Sequence, residues 1–428
     1  MNILLLGSGG REDALAWRLS QCPSCDRLDV APGNPGMERW ADALHAIDLG
    51  DNDAILALAK EVAADLVVVG PEAPLVNGIG DRLREDGIAC FGPDAAPAQL
   101  EGSKGFTKRL CDEANIPTAA YRETEGVDAG LAALEAFGLP VVVKADGLAG
   151  GKGVTVAFTR EDAEAAVREA GDAPLVIEEF LAGEEASLFA LVDGSTVRFL
   201  ASAQDHKRVG EGDKGPNTGG MGAYSPAPIL TEALIVRSLE EIVQPTADAL
   251  VARGTPFRGV LYAGLMLTDE GPKLIEYNVR FGDPECQAIM PRIAGDLGET
   301  LYAVAKGGLA AADPLGLEQA SVMTIVYCAK GYPGEARKGG WIGGLEEAEK
   351  DSAIVFQAGT ARREDGELIA SGGRVLGVTA AGATIADARV AAYRAADAID
   401  FSDGFYRGDI GWRELDRMRV TGAGDEEE

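Results

Sequence analysis

A chain of 428 residues, 46% of them hydrophobic, can build two to four domains with real cores and is too apolar to be disordered. Its 69 acidic and 39 basic residues leave a net charge of −30, which excludes the phosphate backbone of nucleic acid as a main partner. No apolar run reaches the length of a membrane span, and two histidines give little support to histidine-based metal centres or triads. Any anionic ligand must therefore be held by a local set of donors working against the overall field.

The N-terminal run Asn2 to Leu6 lacks a basic region and reads as a first strand rather than a signal peptide, so a cytoplasmic protein is expected. It ends in Gly7-Ser8-Gly9-Gly10 and a helical stretch from Arg11 to Leu19. A strand, a glycine turn and a helix N-terminus can hold an anion on backbone N–H groups, here those of Gly9 and Gly10. Glu12 stands where the dinucleotide fingerprint needs glycine, so a small phosphate is favoured over NAD. Apolar strands follow at Leu28–Val30, Leu66–Val69 and Ile88–Phe91, with helical stretches between them such as Asp53–Ala64. This predicts an open parallel α/β domain over the first hundred residues. Its strand ends carry Pro32 to Gly36 and Gly70 to Pro74, which bring Asn34 and Glu72 to the edge where such sheets bind ligands. Cys22 and Cys25 have CxxC spacing without a second pair for zinc, and buried or neutral thiols are the expected outcome.

Ser103 is placed to cap a helix opening at Lys104. The β-branched strand Leu139 to Val143 delivers Lys144. A loop with Gly150, Gly151, Lys152 and Gly153 follows, and then a strand from Val154 to Phe158. This is no Walker A loop, which would open a helix. A strand–glycine loop–strand hairpin suits a flap closing over phosphates, with glycines allowing close approach and two lysines supplying charge. The apolar run Leu175 to Leu181 ends near Glu178 and Glu179, and Glu185 follows. These are acceptors suited to the donors of a base and a ribose. Gln204 to Gly222 reads as a long glycine-rich loop carrying Asp213 and Asn217, of a length that is usually functional.

Val260–Leu267 and a turn at Asp269–Pro272 lead into Ile275-Glu276-Tyr277-Asn278-Val279-Arg280-Phe281-Gly282-Asp283-Pro284-Glu285. As a half-buried strand it would turn Ile275, Tyr277 and Val279 into a core and Glu276 and Asn278 together onto the other face. A carboxylate and an amide oxygen are hard ligands suited to Mg²⁺. Arg280 would join them if the strand runs on, with a planar fork suited to carboxylate or phosphate. Past Gly308 come strands at Ser321–Tyr327, Ile354–Phe356 and Arg374–Thr379 and an Ala-rich helix, Ala386–Ile399. They read as a small α+β domain whose loops bring Gly372 and Arg374 toward the centre. Gly422 to Glu428 is an acidic tail.

Four stretches together, Gly7–Glu12, Lys144–Gly153, Gly215–Gly222 and most specifically Arg280–Glu285, resemble the phosphoribosylamine–glycine ligases of the ATP-grasp superfamily. The resemblance runs in order from residue 1 to about residue 420. It implies an α/β and α+β multidomain protein. Residues 1–101 would be the open parallel α/β domain and 102–320 an ATP-grasp body with a mobile lid at about 118–188. Residues 321–421 would be the C-terminal domain and 422–428 the tail. It implies ligation of glycine to 5-phosphoribosylamine with ATP and Mg²⁺ (or Mn²⁺), through glycyl phosphate, by a monomer or weak homodimer. Another ATP-grasp carboxylate–amine ligase is the alternative. The resemblance would set Glu178, Glu179, Leu181 and Glu185 around adenine and ribose. Lys104, Lys144, Lys152 and the loop glycines would face phosphates, and Glu276 and Asn278 would hold metal. Lys144, Lys152, Arg280 and Asp213 are the expected catalytic set, the last two near glycine. Gly9, Gly10, Asn34, Glu72, Asn217, Gly372 and Arg374 complete the substrate contacts. Two positions depart from the family pattern. Asp13 stands where the family often carries histidine, and Tyr262 to Met266 offers no acidic metal ligand.

Overall fold

The computed structural model describes residues 1–148 and 153–422. Gly150, Gly151 and Lys152 of the glycine loop, and the acidic tail beyond Gly422, lie outside the described residues.

The N-terminal sheet is parallel, with strands Asn2–Gly7, Arg27–Pro32, Ala43–Leu44, Leu66–Val69 and Ala89–Phe91 in the order third, second, first, fourth, fifth. Helices cover both faces, which is why Ile3, Leu4, Leu5 and Leu6 are all fully buried and the strands read as continuous apolar runs. The order reverses direction between the first and fourth strands, so a crevice opens at their C-terminal ends. Gly7 and Gly70 stand there, and a Cβ on either would come within 2.3 Å of the Glu12 side chain. Ser103 Oγ accepts from Phe106 N (3.1 Å) and caps the helix Lys104–Ala114, as its position predicts.

A smaller antiparallel sheet follows, ordered Tyr121–Glu125, Pro174–Glu179, Val141–Ala145 and Val154–Ala157. The helices Val127–Leu134 and Arg160–Ala170 close its own core of Leu134, Val141, Val143, Val167, Leu175 and Ile177. Lys144 pairs with Val154, so the glycine loop does join two hairpin strands.

The largest sheet runs Gly271–Asn278, Arg258–Thr268, Glu184–Asp193, Thr196–Asp205, Gly222–Ser225, Ser321–Ala329, Arg374–Gly382 and Ile354–Gln357. The strands expected after residue 320 are therefore present, but they extend the body's sheet through Gly222–Ser225 instead of standing apart. The hairpin Glu184–Asp193 and Thr196–Asp205 escapes the sequence reading because Ala186 to Val192 is buried on both faces and shows no alternation. The segment read as one long loop contains a hairpin of Arg208–Gly210 with Lys214–Asn217. Its turn holds left-handed residues at Gly212 and Asp213, and Gly215 in the returning strand is left-handed too.

Candidate active site

The three layers enclose a cleft of about 630 Å³. Of the residues singled out in the sequence, Glu72, Lys104, Lys144, Gly153, Glu178, Glu179, Leu181, Glu185, Asp213, Asn217, Glu276, Asn278, Arg280 and Arg374 all line it. They come from all three sheets and from the segment after residue 320.

The strand Gly271–Asn278 forms one wall, and its geometry differs from simple alternation. The pairing with Arg258–Thr268 shifts register so that Gly264 faces Glu276 while Leu265 faces Leu274. Ile275 is the extra residue of a β-bulge. It lines the cleft half-buried instead of entering the core, and Leu274 takes the core position in its place. Tyr277 and Val279 are buried as expected, Tyr277 with its hydroxyl 2.7 Å from Thr246 Oγ1. Glu276 and Asn278 then share the cleft face. Among the described residues no hydrogen bond or ion pair holds the Glu276 carboxylate or the Asn278 amide, and no group of three or more His, Cys, Asp or Glu side chains converges as a metal cage. The strand ends at Asn278, so Arg280 reaches the cleft from the following turn and not by alternation.

Opposite stand the lysines. Lys144 Nζ lies 3.0 Å from Glu178 Oε2 and donates to Ile275 O (3.2 Å). Lys108 reaches the same Glu178 oxygen at 3.1 Å and donates to Thr118 Oγ1 at 2.9 Å. Glu178 Oε1 is buried and has no hydrogen-bond partner among the described residues. Lys104 Nζ donates to Gly147 O at 2.9 Å. Burial pushes Lys104 and Lys108 below the usual ammonium range, the nearby carboxylates only partly offsetting it. Glu185 pairs with Lys207 at 2.6 Å, and Glu179 accepts from Ala120 N at 2.9 Å.

At the other end Arg11, Arg280 and Arg374 converge with Glu72, Glu101 and Asp283. Arg280 Nε donates to Glu72 (3.2 Å) and Nη2 to Glu101 (2.7 Å). Arg374 Nη1 donates to the Asp283 carbonyl at 2.7 Å, and Nη2 pairs with the Asp283 carboxylate at 3.1 Å. Arg374 also donates to the Gly219 carbonyl, which ties the glycine-rich loop to this end. The Arg280 and Arg11 guanidiniums hold the Glu72 carboxyl below its usual range against its burial, whereas burial raises Glu101.

Four expected residues do not line the cleft. Gly9 N–H is taken by Glu12 Oε2 at 2.7 Å, so Glu12 caps the helix N-terminus meant for an anion. Gly10 packs against Gln287, where a Cβ would come within 2.5 Å of Nε2. Asn34 spends its amide hydrogens on the carbonyls of Ser8 (2.9 Å) and Gln357 (2.8 Å), and accepts from Gly36 N (2.8 Å). Gly372 packs on Gly359. Asp213 lines the wall, but both its oxygens are engaged. Arg407 Nη1 lies 3.0 Å from Oδ1, and Arg413 Nη2 and Trp412 Nε1 lie 2.7 Å and 3.2 Å from Oδ2.

Residues 1–101 match the phosphoribosylglycinamide synthetase N domain, 102–286 its ATP-grasp (A) domain and 322–413 its C domain. The chain belongs to the phosphoribosylglycinamide synthetase family. A phosphoribosylamine–glycine ligase from Mesorhizobium japonicum is 52% identical over 428 residues, covering 98% of this chain and all of that one. The enzyme of that name from Escherichia coli is 49% identical over 97% of this chain and 99% of its own. Among solved structures, phosphoribosylamine–glycine ligase from Thermotoga maritima superposes with a TM-score of 0.82 at 32% identity, covering 96% of this chain and 100% of that chain.

Within this synthetase fold several cleft residues had no assignment from the sequence. Lys108 lies four residues after Lys104, on the same face of one helix, and that spacing is a signal that could have found it. Glu101 and Arg413 carry no such signal, since only tertiary packing brings them to the cleft. Asp13 is buried with Trp40 Nε1 on Oδ1 (2.9 Å) and Gln357 N on Oδ2 (2.6 Å), joining the first helix to a strand more than 300 residues away. Cys22 and Cys25 are free thiols.

Proposed function

We propose that this chain ligates glycine to 5-phosphoribosylamine at the expense of ATP, giving glycinamide ribonucleotide, ADP and phosphate in de novo purine synthesis. One observation carries this reading. A single wall sets two oxygen ligands without a partner among the described residues, Glu276 and Asn278, between a lysine-rich end and an arginine-rich end of one cleft. The two ends suit a nucleotide triphosphate and acid- or phosphate-bearing substrates in a protein whose net charge is −30.

A carboxylate is a poor electrophile because oxide is a very poor leaving group. In the proposed sequence a glycine carboxylate oxygen attacks the γ-phosphorus of ATP and ADP leaves. The amine of phosphoribosylamine then attacks the acyl carbon of glycyl phosphate, loses a proton and expels phosphate. The protein's part is positioning and charge neutralisation, with no nucleophilic side chain. Lys104 and Lys144 are suited to the phosphates, and Lys108 to holding Glu178 beside Lys144. The orphan Glu178 Oε1 is an acceptor awaiting a donor such as a base amino group. Arg280 and Arg374 suit the carboxylate or phosphate of the substrates. Glu276 and Asn278 fit a divalent ion that takes hard oxygen ligands and completes its shell with water and phosphate, Mg²⁺ or Mn²⁺. Such an ion, when bound, offsets charge on the phosphate oxygens. The absence of an acid from Tyr262 to Met266 fits a protein contribution of two ligands.

The test is ADP release with glycine present and omitted, in the presence of phosphoribosylamine. Glycine-dependent ADP is expected; equal release without glycine would refute the ligation. Glycine labelled with heavy oxygen in its carboxylate should pass label to phosphate, and unlabelled phosphate would exclude the acyl-phosphate route. We also propose four units, 1–101, 102–320 with a lid at about 118–188, 321–421 and the tail, in a cytoplasmic monomer or weak homodimer. No described helix is long and apolar enough to cross a membrane. Sedimentation at several concentrations tests the assembly.

A further inference from the structure

We propose that Arg407 is a positioning residue that sets one wall of the cleft from outside it, acting through Asp213. Arg407 is fully buried and does not line the cleft. Four of its five N–H groups are engaged. Nε and Nη2 donate to the two oxygens of Asp409 at 2.7 Å and 2.8 Å, and Nη1 donates to Arg208 O at 2.8 Å and Asp213 Oδ1 at 3.0 Å. Asp409 Oδ2 in turn accepts from Gly212 N at 2.7 Å. One side chain thus ties the carboxylate of Asp213 to the backbone at the start of the hairpin Arg208–Asn217 and, through Asp409, to the backbone of its turn.

The hairpin needs such a tie. Asp213 has φ +56 between Gly212 at +64 and Gly215 at +81, and a non-glycine residue keeps a left-handed backbone only where its surroundings over-determine it. Beyond this turn, Asn217, Thr218 and Gly219 line the cleft with Asp213. Arg413 lines it too and shares the same carboxylate. Two guanidiniums therefore share Asp213, Arg407 on Oδ1 and Arg413 on Oδ2, and Arg407, the buried one, fixes where the carboxylate sits and so where Arg413 points. Both Asp213 oxygens already accept donors from the protein, so a positioning role stands beside the glycine contact expected from the resemblance. This inference rests on the ligase reading for its kinetic test, so the test carries a readout that does not depend on activity.

Full-length Arg407→Lys, Asp213→Asn and the double variant are compared for kcat, for KM with ATP and glycine, for melting temperature, and for amide exchange over residues 212–219. Lysine keeps the charge but cannot fork to two carboxylates. In each single variant kcat should fall about tenfold, with the double no worse than the poorer single, because both break one linkage. Exchange over 212–219 should rise in Arg407→Lys at an unchanged pattern elsewhere. A folded Arg407→Lys with wild-type kcat and wild-type exchange, whatever its melting temperature, overturns the proposal. Effects that multiply in the double variant overturn it too, since Asp213 would then act without Arg407. If Arg407→Lys does not fold, Trp412→Phe removes one donor from Asp213 and keeps the ring. It should raise exchange over 212–219 and lower kcat about two- to threefold, and the proposal fails if neither moves. Loss of glycine-dependent ADP from the wild type would remove the ligase reading but leave the exchange result standing.

Discussion

At the residue scale, Glu276 is the sharpest case. Most cleft carboxylates are answered by a guanidinium or ammonium, as Glu72, Glu101, Glu178 and Glu185 are. Glu276 has no such partner among the described residues, so its removal should cost function and little stability. Glu276→Gln is expected to lower kcat about 10²–10³-fold. Its unfolding free energy in urea should change by no more than about 0.5 kcal/mol. Near-normal turnover at saturating Mg²⁺ would contradict the metal role. Arg280 behaves oppositely, because its fork answers two largely buried carboxylates. Arg280→Ala should lose about 3 kcal/mol in urea unfolding, since it leaves Glu101 buried without its cation. A variant as stable as wild type would show that this pairing contributes nothing.

Asp13 ties a residue to a junction between elements. Burial pushes its carboxyl up to about 7 despite donors from Gln357 N and Trp40 Nε1. The folded protein thus holds this proton up to about pH 7, whereas the unfolded chain releases it near pH 4. Raising pH through that window favours unfolding, and the contribution levels off above it. The stability of wild type relative to Asp13→Asn should therefore fall between pH 4.5 and 7, about the span between the two pKa values, and then stay constant. Urea midpoints of the two proteins at several pH values check this, and a difference that does not change with pH refutes it.

At the element scale, the glycine-rich loop packs on the Arg280–Glu285 segment where Gly220 meets Pro284. Gly220 has φ +110, and a Cβ there would lie 2.4 Å from Pro284 Cδ, a ring atom that cannot swing away. Gly254 has φ +76 with nothing within 4 Å. Alanine at Gly254 should cost only the backbone term, about 1 kcal/mol. Alanine at Gly220 adds overpacking and should cost about 3 kcal/mol. Only the Gly220 variant should also lower kcat, because it separates the loop from the turn that carries Arg280. Equal losses in both would place the effect in backbone strain alone.

At the scale of the whole molecule, the body and the segment after residue 320 share one sheet, so they should not fold apart. A chain stopped at residue 320 exposes the edge of Gly222–Ser225, which Ser321–Ala329 normally covers. It also loses Arg374 and Arg413 from the cleft wall and Arg407 from behind it. Such a chain should aggregate on size exclusion and show no cooperative melt; a soluble, cooperatively melting product would mean that the shared sheet is dispensable. The net charge of −30 acts on the compact state as a whole. Raising NaCl from about 0.02 M to about 1 M shortens the screening length to about 3 Å and should raise the melting temperature, because self-repulsion is relieved while exposed ion pairs contribute little.

Local pattern carried much of this protein. Apolar runs on both faces marked the N-terminal parallel strands, Ser103 marked a helix start, and the alternation in Glu276-Tyr277-Asn278 put two oxygen ligands on one face. Each depends on neighbours a few residues away, which is the range over which side-chain period and capping act. Long-range pairing was beyond that range. The bulge that turns Ile275 into the cleft comes from the partner strand's register, and Glu12 rather than a ligand occupies the Gly9 N–H because Gly7 and Gly70 leave it room. Glu101 and Arg413 enter the site, and Arg407 stands behind it, by packing between segments up to 200 residues apart (Arg413 to Asp213). Burial, and with it the choice of which charges are answered and which are left for a ligand, is a property of the assembled layers that no stretch of chain carries by itself.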